Sequence, residues 1–248
     1  MIASARSAYI VKRLEQSGII DYKNISKELD VSEATVRRDF EKLERAGQLR
    51  RVQGGAVRSD TILVGELSVT AKEGLHAEEK RRVAKKAAEE VQDGENIFLD
   101  CGTSIAPIAG ELMHRKVHIV TNNHLVLSYA YQNSAAEIFF LGGQFCPADQ
   151  LCTGPLTLRV LSGFLFDRAF IGCMGLDIAR NEVYVTEMES LAIKQLAMKN
   201  AKSSSLLTDT SKEGAHGPFR LAGCQDFDRV YVNDGGTRRN YPKNFIVV

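Results

Sequence analysis

Tryptophan is absent from the 248 residues, and no apolar run approaches the roughly 20 residues needed to cross a bilayer as a helix. The longest such runs, for example Ile138 to Leu141, suit buried strands. Met1 to Tyr9 lacks the apolar stretch and small-residue cleavage site of a secretory signal, so the chain is expected to remain in the cytoplasm without membrane contact. Cysteine is scarce and scattered: Cys101, Cys146, Cys152, Cys173 and Cys224 form no C-x-x-C pair, and the five histidines do not join them at ligand spacing. No metal site is expected. The thiols read as small buried hydrophobes in a reducing compartment. Neither G-x-G-x-x-G nor G-x-x-x-x-G-K-[ST] occurs, which removes the main support for dinucleotide or P-loop nucleotide binding. No cofactor is expected.

Net charge is also nearly absent, at +1, yet its distribution is uneven. Residues 1–58 hold 12 Lys and Arg against 8 Asp and Glu, so the front of the chain is basic and the remainder slightly acidic. Such a bias alone describes many solvated surfaces. Its meaning depends on the pattern beneath it.

Ile10, Val11 and Leu14 recur at helical spacing before Gly18, predicting a helix over about residues 5–17. Tyr22, Ile25 and Leu29 put an apolar face on a second helix. Ser32 is placed to cap a third, whose buried stripe is Val36, Phe40 and Leu43 and whose end falls at Gly47. The opposite face carries Ala34, Arg38, Glu41 and Arg45, flanked by Thr35, Arg37 and Lys42. Arginine suits guanine bidentately, while Ala or Thr packs on a thymine methyl, so this helix has the side chains that read base edges in a major groove. Leu49 to Val52 alternates as a short strand, and Gln53-Gly54-Gly55-Ala56 forms a glycine turn, together giving a basic β-wing.

The ordered run Val31-Ser32-Glu33-Ala34-Thr35-Val36-Arg37-Arg38-Asp39-Phe40, then Leu43, Gly47, Leu49 and Arg51-Val52-Gln53-Gly54-Gly55-Ala56, resembles the DNA-binding signature of the DeoR family of bacterial regulators. The resemblance implies an α+β winged helix-turn-helix domain over residues 1–58. Ser32, Ala34, Thr35, Arg37, Arg38, Lys42, Arg51, Gly54 and Gly55 are its expected contacts to double-stranded operator DNA.

Residues 59–75 lack periodicity and read as a linker. Relatives carry Arg eight residues before the position of Lys80, where this chain has Lys72, and the two are not interchangeable in bidentate contacts. From Ala77 a helix buries Ala84, Ala87, Ala88 and Val91 and stops at Gly94. Short apolar runs then recur at Ile97 to Leu99, Val117 to Val120, Ile138 to Leu141, Ala169 to Ile171, Ser205 to Leu207 and Val230 to Val232. Helical stretches near 105–112, 124–132, 155–163 and 187–201 separate them. This alternation predicts a largely parallel sheet with helices on both faces over residues 76–248.

In such folds ligands gather at the carboxyl ends of strands. Those ends carry Asp100-Cys101-Gly102-Thr103-Ser104, Thr121-Asn122-Asn123, Gly142-Gly143 and Thr208-Asp209-Thr210-Ser211-Lys212. Each taken singly reads as a helix cap or a turn. As a set they resemble the effector domain of DeoR regulators, patterned D-x-G-[ST]-[ST], T-N, G-G and D-x-S-K. That domain has an α/β Rossmann-like fold similar to ribose-5-phosphate isomerase and the coenzyme A transferases. The resemblance implies a phosphorylated sugar effector held by Asp100, Gly102, Thr103, Ser104, Thr121, Asn122, Gly142, Gly143 and Lys212, with Glu189 a further candidate. The tail after Asp234 is shorter than the family's, so a last helix is expected to be missing.

Two functions compete. One is a repressor of a sugar-utilisation operon, acting as a homodimer or homotetramer whose DNA affinity follows the effector. The other is a sugar-phosphate isomerase using Asp100, Glu189 and Lys212 for acid-base chemistry. Likeness of fold does not carry an activity with it, so the non-enzymatic reading is preferred and no residue is expected to be catalytic.

Overall fold

The computed structural model describes residues 3–17, 19–46, 48–52, 55–58, 69–236 and 240–248. Gly47, Gln53, Gly54 and residues 59–68 of the expected linker lie outside them. The chain divides into two compact units, Met1–Glu66 and Leu67–Val248.

The first unit runs α1 (Ala3–Ser17), β1 (Ile19–Asp21), α2 (Tyr22–Leu29), α3 (Glu33–Arg45), β2 (Leu49–Val52) and β3 (Gly55–Arg58). Its caps are written into the sequence. The Asp21 side chain accepts the Asn24 N–H at the start of α2, and Asp30 ends that helix in the left-handed conformation at φ 50°. Ser32 then caps α3, accepting the Thr35 N–H. Strand β1, three residues too short to show a period, was not expected. It pairs with β3, which pairs with β2, in an antiparallel sheet. Ile10, Leu14, Ile25, Val36, Phe40 and Leu49 fill the core between helices and sheet.

The second unit begins earlier than periodicity suggested. Val69–Gly74 is a helix, α4, rather than linker, because Val69 is buried against Ala106 and Leu125. There follow α5 (Ala77–Ala88), β4 (Asn96–Leu99), α6 (Ala106–Leu112), β5 (His118–Thr121), β6 (Glu137–Phe140), β7 (Gln144–Cys146), β8 (Leu151–Thr153), α7 (Pro155–Leu161) and β9 (Phe166–Gly172). The chain continues through β10 (Gly175–Asp177), β11 (Glu182–Val185), α8 (Met188–Lys199), β12 (Ala201–Leu207), β13 (Phe219–Ala222), β14 (Arg229–Val232) and β15 (Phe245–Val247). The stretch 124–132, expected as a helix, is a 3-10 turn over His124–Tyr129.

Seven strands form one sheet in the order β15-β14-β12-β9-β4-β5-β6, every neighbouring pair parallel. Side chains alternate across it. Ile97 and Leu99 face α5 and α6 with Ala84, Ala87, Ile108 and Leu112. Phe98 faces α7 and α8 with Leu161, Ile193 and Ala197. Strand β4 is buried on both faces and has no polar side to show, which is why Ile97 to Leu99 reads as a continuous apolar segment. The tail ends in β15, a parallel edge strand beside β14. Because all seven strands point the same way, their six carboxyl-end loops on β4, β5, β6, β9, β12 and β14 leave one edge of the sheet.

Candidate functional site

Two surfaces stand out, one in each unit. On α3, Val36, Phe40 and Leu43 are buried while Ser32, Ala34, Arg37, Arg38 and Lys42 are exposed and Thr35 is half-buried. The face expected to meet DNA is therefore the face left to solvent. Two contacts orient it. Arg6 grips the buried Asp39 with two hydrogen bonds, of 2.6 and 3.0 Å, fixing α1 to α3. The Arg37 guanidinium lies 4.7 Å from the centre of the Tyr22 ring, which holds it at the base of α2. Arg38 makes no hydrogen bond or ion pair among the described residues and is available to a base or phosphate.

The wing residues behave differently. Arg51 is bound to α3: its backbone N–H donates to Glu44 Oε1 at 2.8 Å, its Nε to Glu44 Oε2 at 2.7 Å and its Nη1 to Glu41 at 3.1 Å. It couples wing to recognition helix. Gly55 is buried, and a Cβ there would lie 2.0 Å from the Ile20 carbonyl oxygen, so glycine at 55 serves the approach of β3 to β1.

At the carboxyl edge of the parallel sheet, the segments flagged by sequence converge. Lys212 Nζ donates to Ser104 Oγ at 3.1 Å and to the Cys173 carbonyl at 3.0 Å, joining the β4, β9 and β12 loops. Asn123 Nδ2 donates to the carbonyls of Asp100 and Gly102, both at 3.1 Å. Gly102 has φ +109°, and a Cβ there would meet nothing within 4 Å, so its backbone faces open space. Helix α6 starts only at Ala106, and the N–H groups of Ile105 and Ala106 both donate to Gly102 O. Positive charge at this site therefore comes from lysines rather than from a long helix.

Three of those lysines were outside the expected set of contacts. Lys80, buried on α5, donates to Thr103 Oγ1 at 2.9 Å and to the Lys72 carbonyl. Burial, reinforced by the charge of Lys212, pushes its pKa down to about 8. Lys72 is lowered as well, by burial first and by Lys212 among its neighbours. Lys194, on α8, forms a buried ion pair with Asp100 Oδ2. Burial opposes its charge, but the Asp100 carboxylate outweighs that and raises the pKa. Asp100 Oδ2 also accepts the Gly172 N–H at 2.8 Å. Asp209, 4.0 Å from Lys212, is opposed by burial yet held below the ordinary carboxylate range by Lys212 and Ser211.

The remaining expected residues divide. Thr121 is internal: its hydroxyl donates to Leu99 O at 2.6 Å and accepts the Asn123 N–H at 3.0 Å. Asn122 is buried beside it, with Nδ2 on the Cys152 carbonyl at 2.9 Å. Gly142 accepts a hydrogen bond from Thr157 Oγ1 at 2.8 Å. Gly143, at φ +150°, leaves no room for a side chain, since a Cβ would sit 2.1 Å from Thr157 Oγ1. Glu189 is exposed and makes no hydrogen bond or ion pair among the described residues. One residue on, Ser190 lies 3.6 Å from the Cys101 sulfur, and one turn further Lys194 reaches Asp100, so α8 turns that face inward. Asp100 is paired with Lys194, Lys212 rests on Ser104 and the Cys173 carbonyl, and Glu189 forms no hydrogen bond or ion pair with either among the described residues.

An exposed basic recognition helix with a wing, in one chain with a lysine-rich strand-edge site, defines a DNA-binding regulator that carries a domain suited to a small anion. Residues 6–61 match the DeoR-like helix-turn-helix domain, and residues 75–234 match the DeoR C terminal sensor domain. The chain belongs to the DeoR family of transcription regulators. It is 32% identical to the lactose phosphotransferase system repressor of Streptococcus mutans, covering 89% of this chain and 92% of that one. It is 28% identical to the uncharacterized HTH-type transcriptional regulator YgbI of Escherichia coli, over 95% and 91% of the two chains. Among solved structures, ribose 5-phosphate isomerase A from Methanocaldococcus jannaschii aligns with TM-score 0.41 and 19% identity over 56% of each chain. The full-length sorbitol operon regulator SorC from Klebsiella pneumoniae aligns with TM-score 0.38 and 15% identity, over 83% of this chain and 89% of that one. No described helix is long and apolar enough to cross a membrane.

Proposed function

We infer that the protein is a cytoplasmic repressor of a sugar-utilisation operon whose affinity for operator DNA is set by a phosphorylated sugar bound at the carboxyl edge of the sheet. The observation that carries this reading is the charge balance there. Lys80 and Lys212 rest on the adjacent hydroxyls of Thr103 and Ser104, and Lys80 forms no ion pair among the described residues. A buried cation without a partner is unfavourable by several kcal/mol in apolar surroundings, roughly, until an anion joins it. A phosphate between Lys80, Lys212, Thr103 and Ser104 supplies that anion, and Gly102 leaves its backbone open to it. Asp100 and Asn122 stand beside it toward the sugar. The relatives agree in kind: several are lactose phosphotransferase system repressors.

A ligand moves DNA affinity only through unequal affinity for the two protein states. Operator recognition by helix-turn-helix proteins normally uses symmetric pairs of recognition helices, so the working form is a homodimer or homotetramer on paired half-sites.

The test is a thermal-shift screen of phosphorylated sugars, their unphosphorylated counterparts and inorganic phosphate. At a hundredfold excess over Kd, binding to the folded state adds about 2.7 kcal/mol of apparent stability. A phosphorylated sugar should raise the melting temperature of the wild type, and its unphosphorylated form should not. Lys80→Met should lose the response while melting no lower than wild type without ligand. Equal shifts in both proteins would place the phosphate elsewhere.

A further inference from the structure

Three buried polar atoms at this edge have no hydrogen-bond partner among the described residues: Asp100 Oδ1, Asn122 Oδ1 and Thr153 Oγ1. They are neighbours by topology. Strands β4 and β5 pair with Leu99 opposite Thr121, so Asp100 and Asn122 follow side by side. Asn122 and Cys152 exchange two hydrogen bonds, Asn122 Nδ2 to Cys152 O and Cys152 N to Asn122 O, both 2.9 Å, which brings Thr153 next in line. By alternation along the strands, Asp100 and Asn122 share the face of Phe98 and Val120, beneath α7 and α8. At Gly142, as at Gly102, a Cβ would meet nothing within 4 Å, so the backbone beside this row is open.

Buried polar groups are nearly always paired, and three unpaired ones in a row mark where another molecule pairs with them. Their chemistry restricts that molecule. Asp100 offers a carboxylate oxygen. Asn122 offers a carbonyl oxygen in fixed orientation, because flipping the amide would set its oxygen against the Cys152 carbonyl. Only Thr153 can donate as well as accept. A hydroxyl supplies the donor each acceptor needs, whereas a carboxylate sets lone pairs against lone pairs. We propose that Asp100, Asn122 and Thr153 form a hydroxyl-reading row that selects a phosphorylated neutral sugar over a phosphorylated sugar acid of the same carbon number. Thr153 is the new member and lies in none of the four strand-end motifs. The inference rests on the effector-site reading.

Isothermal titration of the full-length protein with hexose and pentose monophosphates, the matched phosphorylated aldonic acids and inorganic phosphate tests it. The best neutral sugar phosphate should bind at least about tenfold more tightly than its acid counterpart, the discrimination one lost buried hydrogen bond commonly gives. Thr153→Val keeps the shape and removes the hydroxyl. It should weaken the neutral sugar phosphate about tenfold, leave inorganic phosphate unchanged and leave the melting temperature the same or higher, since the hydroxyl has no partner among the described residues. Acids binding as well as neutral sugars, or Thr153→Val leaving the preference intact, would overturn the hydroxyl-reading row while sparing the phosphate site. Failure of every phosphorylated probe, inorganic phosphate included, would overturn the effector site and this inference with it.

Discussion

The recognition helix and the strand edge are both basic, but they hold their charge in opposite ways. Arg38 and Lys42 stand in water, where a cation is stable unaided and free to meet a polyanion. Lys80, Lys194 and Lys212 are buried, where a cation needs a partner or a shifted pKa. The surface charge is thus available continuously. The buried charge is conditional, and a molecule that completes it alters the stability of the folded state. That contrast is the physical basis for assigning binding to one region and sensing to the other.

The largest effect should come from breaking the buried pair. Asp100→Ala leaves Lys194 uncompensated and should lower stability by about 3–5 kcal/mol in urea unfolding. An unchanged midpoint would mean that the Asp100–Lys194 pair does not hold the fold together. On the solvent side, Arg38→Ala should weaken operator binding by about 1–3 kcal/mol if it meets a base edge, with no change in melting temperature. Unchanged affinity in fluorescence anisotropy would shift recognition to another surface.

Acidity separates the two regions further. Lys80 is charged below about pH 8 and loses its proton above it, whereas its unfolded form holds the proton up to the ordinary 10.5. Between those values the folded state binds fewer protons than the unfolded one, so this group makes the unliganded protein more stable as pH rises. Phosphate binding works the other way. It requires the charged form, so effector affinity should fall severalfold, roughly, from pH 7.5 to 9, measured by calorimetry. A flat profile would remove Lys80 from the site. The smallest effect is expected at Arg51. Its ion pairs to Glu41 and Glu44 are half-exposed, and Arg51→Ala should change stability by less than about 1 kcal/mol. A loss of operator affinity as large as that of Arg38→Ala would show that wing placement matters more than its energy suggests.

Sequence reasoning reached the two regions unequally for reasons of distance. The first unit was legible because its signals are local: the Ser32 cap and the apolar stripe Val36, Phe40 and Leu43 lie within about a dozen residues. The glycine turn expected at Gln53 to Ala56 is not part of that success: Gln53 and Gly54 lie outside the described residues, and Gly55 and Ala56 belong to β3. Strand β1 escaped because three residues carry no period. The parallel sheet was legible as apolar runs, and the loop motifs were found at strand ends. The charge partners of those motifs were not, since Lys194 meets a carboxylate 94 positions earlier and Lys80 meets Thr103 from another helix. A lysine on a helix reads as a solvated side chain unless its neighbours are known. Around Glu189 the helix register was not legible for a related reason: one position is about 100° of rotation, and it is Ser190, not Glu189, that lies near Cys101. Hairpin β7–β8, which brings Thr153 beside Asn122, has strands too short for alternation to register.

An anion joining Lys80 and Lys212 is expected to change how well the recognition helix holds DNA. The direct measurement is fluorescence anisotropy on an operator selected from random-sequence DNA by the protein itself, at fixed salt, while the sugar phosphate giving the largest thermal shift is titrated. Operator affinity should change at least about fivefold at saturation, the lower range of allosteric coupling, and Lys80→Met should not respond. An operator affinity that stays constant while the same sugar phosphate saturates the wild-type protein would contradict the account.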